Sequence, residues 1–96
     1  MTETQKIEHL LRYVEGLKGA VFIRNGESHQ PTEAAAHLRV KWEKAGNKVK
    51  TAIDFIEICA SKSSMSGKPY TIKMPDGKEL PARDVLLREL KRIQSS

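Results

Sequence analysis

The sequence predicts an α+β domain in which about four helices pack on a small antiparallel sheet. Three observations carry that prediction. Long segments near both ends and in the middle space their apolar residues as a helix does, with charges on the opposite side. Two short runs, Ala20 to Arg24 and Tyr70 to Met74, are instead β-branched, aromatic or alternating, as strands are. Asn25-Gly26 and Pro75-Asp76-Gly77 follow those runs with turn chemistry. At 96 residues, with no internal repeat, the chain suffices for one small domain and one core.

In order along the chain, Ile7, Leu10, Leu11, Val14 and Leu17 make the apolar stripe of a first helix over Glu3 to Leu17, with Glu8, Arg12 and Glu15 outside and Gly16 and Gly19 at its exit. Ala20 to Arg24 then reads as a buried strand, stopped by Asn25-Gly26, with a short return strand over Glu27 to His29. Pro31 suits the first turn of a helix, where its missing N–H is not needed. That helix runs over Thr32 to Ala45, with Ala35, Leu38, Trp42 and Ala45 inward, Ala34 to Ala36 permitting close packing, and Gly46-Asn47 at its end. Thr51 caps a third helix with Asp54 in its first turn, burying Ala52, Phe55, Ile56 and Cys59 with Ile53 and Ile58 beside them. Tyr70 to Met74 and Lys78 to Leu80 form a hairpin, and Pro81 introduces a last helix with Val85, Leu86, Leu87, Leu90 and Ile93 on its apolar face.

Composition bounds the function less than the fold. Lys and Arg outnumber Asp and Glu 17 to 12, a net charge of +5 that permits an anionic partner without demanding one. The excess gathers in a band from Arg39 to Lys50 and again around Lys62, Lys68, Lys73 and Lys78, each of which reads first as a solvated face. One cysteine, Cys59, excludes an intramolecular disulfide and a cysteine zinc cage. No run has the length of a membrane span, and Met1 to Gln5 does not read as a signal peptide.

The least generic stretch is Ala60 to Tyr70, a polar loop with four serines and a Gly-Lys-Pro step between helix and hairpin. It is not a phosphate loop: Lys62 stands where the first glycine is required, and Pro69 replaces the magnesium-binding hydroxyl. Nor does it hold a Ser-x-x-Lys pair, since Met65 and Cys59 precede Lys68 and Lys62 by three residues. Glu33 and His37 lie one helical turn apart, an ion-pair spacing that His29 or Cys59 would have to complete to make a metal site. Trp42 and Phe55 read as core. Tyr13 and Tyr70 are the aromatic residues expected at the surface, too few for a single-strand nucleic-acid platform.

Four motifs nevertheless keep a distinctive order and spacing: Phe22-Ile23-Arg24-Asn25-Gly26; Glu33 to Arg39 with Lys41; Lys50-Thr51-Ala52 with Asp54-Phe55-Ile56; and Ala60-Ser61, Ser63-Ser64 and Ser66 to Tyr70. Together, over about Ile7 to Ile93, the chain resembles the YfeK-like family of small bacterial proteins, a domain-of-unknown-function family. The resemblance implies exported proteins of Gram-negative bacteria that carry a signal peptide, with no assigned activity or cofactor. It also implies that some relatives have cysteines where this chain has Ala20 and Met74, which would set the first strand beside the hairpin.

The functional expectation is a non-enzymatic binding or structural module without a cofactor, taking an anionic small ligand or a protein partner. Its expected surface comprises Arg24, Asn25, His37, Arg39, Ser61, Ser63, Ser64, Ser66, Lys68 and Tyr70, with the serine loop folded toward Arg24 and His37. The competing structural expectation is that the loop hydroxyls only cap helix 3 and hold the loop. Nucleic-acid binding through the Arg39 to Lys50 band and serine hydrolysis with His37 are the less favoured alternatives. The expected compartment is periplasmic or secreted where a signal peptide precedes the chain, and cytoplasmic otherwise.

Overall fold

The computed structural model describes residues 1–61 and 67–95. Helix α1 (Glu3–Glu15) leads into strands β1 (Val21–Arg24) and β2 (Glu27–His29), then helix α2 (Pro31–Ala45) and a 3-10 turn at Gly46–Lys48. Helix α3 (Ala52–Phe55) passes into a π-helical turn, Ile56–Ala60, and strands β3 (Thr71–Lys73) and β4 (Glu79–Pro81) precede helix α4 (Ala82–Ser95). The strands form one antiparallel sheet in the order β2-β1-β3-β4, so the fold is α+β with four helices on a small sheet. Pro81 closes the last strand, and α4 begins one residue later than its helix-starting chemistry suggests.

Local chemistry explains the boundaries. Thr2 and Gln5 form a reciprocal capping box on α1, as Thr51 and Asp54 do on α3, which satisfies amide groups that a helix start leaves without partners. Asn25 and Gly26 both take positive φ, 52° and 80°, the two-residue turn that matches the twist of a hairpin. Phe22 faces Ile72 across the β1–β3 ladder, and Ile72 faces Leu80 on β4, so one apolar row crosses the sheet beneath the helices. That ladder ends at Val21 opposite Lys73, so β1 lies beside the hairpin, the neighbourhood that the family resemblance implies.

The core joins Leu10, Leu11 and Val14 of α1, Phe55 of α3, Ile56 of the π-helical turn, Ile72 of the sheet and Leu86 of α4, all fully or almost fully buried. Each such side chain contributes about 1.5–3 kcal/mol of burial free energy. Trp42 packs edge-to-face on Phe55, with ring centroids 6.1 Å apart. The π-helical turn keeps Cys59 and Ala60 inward with Ile56, but Ile53 and Ile58 are half exposed and do not extend the buried stripe.

Among the described residues, one charged side chain enters this core. Glu89, 5% exposed, lies between α1 and α4, where it accepts hydrogen bonds from Arg92 Nε and Nη2 at 2.7 Å. His9 Nε2 lies 2.6 Å from its Oε2. The Arg92 guanidinium first, and His9 after it, hold the Glu89 carboxyl down at about 2.

Candidate functional site

The alternation of a strand and the turn of a helix bring the candidate site together. Arg24 follows Phe22 by two residues and so emerges on the same, helix-covered face of β1. His29 stands opposite Phe22 in the β1–β2 register and shares that face. Above them, Ala34, His37, Leu38 and Lys41 recur at three- and four-residue intervals along one side of α2. The end of the π-helical turn, Ala60, the start of the hairpin, Tyr70, and the start of α4, Ala82, close the remaining wall.

These residues enclose a half-open cavity of about 150 Å³, lined mainly by apolar groups from Phe22, Ile23, Ala34, Leu38, Ala60 and Ala82. Its polar members are Arg24, His29, Glu33, His37 and Tyr70. Glu33 Oε1 lies 3.2 Å from His29 Nδ1, so its partner is His29 and not His37, the residue one turn along that its spacing suggests. The Glu33 side chain is 63% exposed, which places this pair at the mouth.

Deeper in, two polar atoms are sealed from solvent with no hydrogen-bond partner among the described residues: Arg24 Nε and His37 Nε2. Buried polar atoms are nearly always satisfied, and leaving one unmade costs about 1–3 kcal/mol. Two in residues that line the same cavity are therefore informative. Burial, and then the positive charge of Arg24 and Lys41, push the His37 imidazole below its ordinary value, which favours the neutral ring.

Tyr70 forms the other side of this group. Its ring meets His37 edge-on at 6.4 Å, and Lys41 Nζ lies 4.9 Å from the ring centroid while donating to the hydroxyl at 3.0 Å. At 6% exposed, Tyr70 is not the surface aromatic its polar neighbourhood suggests. The backbone explains why: Tyr70 N–H donates to the Ser61 carbonyl at 3.1 Å and Ala82 N–H donates to the Tyr70 carbonyl at 2.9 Å, drawing the residue between two elements.

The expected site residues therefore separate. Arg24, His37 and Tyr70 converge on the cavity. Asn25 is exposed in the β1–β2 turn and Lys68 is exposed before the hairpin, both outside the lining. Arg39 is turned to α1, where its two terminal nitrogens donate to Glu8 at 2.8 and 2.9 Å. Ser61 donates its hydroxyl to the Ile56 carbonyl at 2.7 Å, which is the capping expectation realised at that position. Ser63, Ser64 and Ser66, with Lys62, lie outside the described residues. The loop's two stems nonetheless both reach the cavity, through Ala60 and Tyr70.

Sequence reasoning missed His29 as a wall residue, although its distance from the Asn-Gly turn sets it opposite Phe22. It also placed Lys41 in a solvated band, whereas Lys41 lies one turn beyond His37 and engages Tyr70. Cys59 is fully buried, and burial pushes its thiol up, so it does not offer a thiolate. Among the described residues no cluster of His, Cys, Asp and Glu could hold a metal ion, and no helix is long and apolar enough to cross a membrane.

Comparison with known proteins adds membership and no activity. The profile of DUF5329, a family of unknown function, matches residues 1–94. A protein of Salmonella typhimurium described as uncharacterized protein YfeK is 41% identical over 68 residues, which cover 71% of this chain and 57% of that protein. No solved structure matches.

Proposed function

The chain belongs to DUF5329, a family of unknown function, and from that premise we propose a role on the strength of the cavity alone: a non-enzymatic module that binds a small ligand between β1, α2 and Tyr70. The observation that carries this reading is that Arg24 and His37, two residues lining one apolar cavity, each bury a nitrogen, Nε and Nε2, that has no hydrogen-bond partner among the described residues. A ligand that brings an acceptor to Arg24 supplies the missing hydrogen bond, and the apolar walls gain from covering the rest of it. Arg24 has no ion-pair partner among the described residues, which makes an anionic ligand the better match.

Binding is favoured over catalysis because His37 Nε2 has no hydrogen-bond partner among the described residues, and the Cys59 thiol is buried. A loop serine acting with His37 would be labelled by a fluorophosphonate probe; the binding reading expects no labelling. The nucleic-acid alternative is weakened because Arg39 and Lys41, two cations of the basic band, engage Glu8 and Tyr70. A periplasmic or secreted location where a signal peptide precedes the chain, and a cytoplasmic one otherwise, completes the proposal; fractionation of the native gene product checks it.

The direct test is a screen of small acidic and neutral fragments followed by amide chemical shifts. Perturbations should cluster on Arg24, Ala34, His37 and Tyr70 and vanish in Ala34→Leu, which fills the cavity from α2. Perturbations elsewhere, or none, would overturn the reading.

A further inference from the structure

We propose that the ligand class of this cavity is a small monocarboxylate with a compact apolar body, its single carboxylate held between Arg24 and His37. This rests on the binding reading above and sharpens it.

The size of the cavity limits the body. A space of about 150 Å³ lined by aliphatic and aromatic groups takes about six carbon-sized atoms, a single ring or a short branched chain. The apolar residues that line it from β1, α2, the π-helical turn and α4 offer no further side-chain donors, so a polar body such as a sugar would lose hydration without recompense.

The head group follows from the donors. A guanidinium presents N–H groups in a planar fork that suits a carboxylate, and Arg24 Nε is one such N–H, already removed from water. His37 supplies a second position of contact. The groups facing His37 are Arg24 of β1, His29 of β2, Lys41 and Lys44 of α2, the paired Glu33, and Tyr70. Positive charge prevails among them, and with burial it disfavours a proton on the ring. A carboxylate between Arg24 and His37 would reverse that balance, so the imidazole can take up a proton and Nε2 can donate to the ligand.

The number of charges follows from what is missing. A phosphate or a dicarboxylate needs several more donors, yet the remaining polar wall is Tyr70, whose hydroxyl already accepts from Lys41, and the His29–Glu33 pair. The Glu33 carboxylate at the mouth opposes a second negative charge. One charge and one apolar body are what the walls accommodate.

The experiment titrates the full chain with benzoate, benzamide and phenylphosphonate, read by calorimetry and amide shifts. Benzoate should shift Arg24, His37 and Tyr70 and bind at least about tenfold tighter than benzamide or phenylphosphonate. Its affinity should rise between about pH 7.5 and about pH 5.5, with buffer-dependent heats reporting proton uptake at His37. In Arg24→Gln the preference of acid over amide should fall below about threefold while the variant keeps its thermal transition. If benzamide binds the cavity as tightly as benzoate, or phenylphosphonate binds tighter, the monocarboxylate assignment falls and the pocket stands. If no probe and no fragment perturbs the cavity residues, both fall.

Discussion

Two clusters of buried polar groups border this core, and they are finished differently. Between α1 and α4, Glu89 receives two hydrogen bonds from Arg92 and contacts His9, so the buried carboxylate is matched on its own protein. Between β1 and α2, Arg24 and His37 each bury a nitrogen that nothing among the described residues meets. Desolvating a polar group is offset by stability only where its partners are present. The first cluster therefore reads as a fastener, while the second is the one that the proposed binding role draws on.

The largest expected effect breaks the fastener. Glu89→Gln should lower unfolding free energy in urea at neutral pH by about 2–3 kcal/mol, because a charge-assisted network becomes a weaker neutral one. His9 and Arg92, 31% and 65% exposed, can turn to water, which keeps the loss below that of a fully stranded charge. A pH window accompanies it. The folded carboxyl is held at about 2 against its ordinary 4.5, so the unfolded chain binds the extra proton; the stability Glu89 contributes is complete above 4.5 and drains away as pH falls toward 2. Glu89→Gln should flatten that part of the stability profile. A cost under about 0.5 kcal/mol would erase the contrast between the two clusters.

The next effect runs the other way. Replacing His37 by Leu removes a buried atom that has no partner, so the unliganded protein should be unchanged or up to about 1 kcal/mol more stable by thermal or urea unfolding. The same variant should lose benzoate binding. Its pH window also differs: with the folded imidazole held below its ordinary 6.5, the stability lost through His37 begins as pH falls below that value, well above the Glu89 window. Wild-type unfolding free energy should thus descend in two steps on acidification, the upper absent in His37→Leu and the lower absent in Glu89→Gln. A His37→Leu variant destabilised by more than about 1 kcal/mol would mean that the ring is structural.

How far the sequence reveals each cluster depends on the distance over which its logic acts. Helices α1, α2 and α4 and both hairpins follow from periodicity and turn residues that act within a few positions, and Thr51 with Asp54 marks the start of α3 in the same local way. Arg24 and His37 stand out by type, since a strand end and a helix face do not need them. Their meeting depends on α2 folding over β1, which no local spacing encodes. Tyr70 misleads because its polar neighbours suggest a surface, whereas backbone bonds to Ser61 and Ala82 draw it inside. Glu89 had a legible signal: it lies three residues after Leu86 and four before Ile93, on the apolar stripe of α4. What the stripe could not supply is His9, which is eighty positions away.

Arg39 sets the lower end of the comparison. It stands two residues from His37, which on a helix is a rotation of about 200°, so the two side chains serve different neighbours. Its guanidinium meets Glu8 with two well-formed hydrogen bonds, but the partners are 45% and 35% exposed. Water and salt screen such pairs, so geometry that would be decisive in the core is worth little here. Arg39→Ala should lower stability by about 0.5 kcal/mol or less, by an amount that shrinks further in high salt. It should leave benzoate affinity within about twofold of the wild type, because Arg39 contributes nothing to the cavity wall. A larger loss of binding in Arg39→Ala than in Arg24→Gln would move the recognition surface from the β1–α2 cavity to the α1–α2 face.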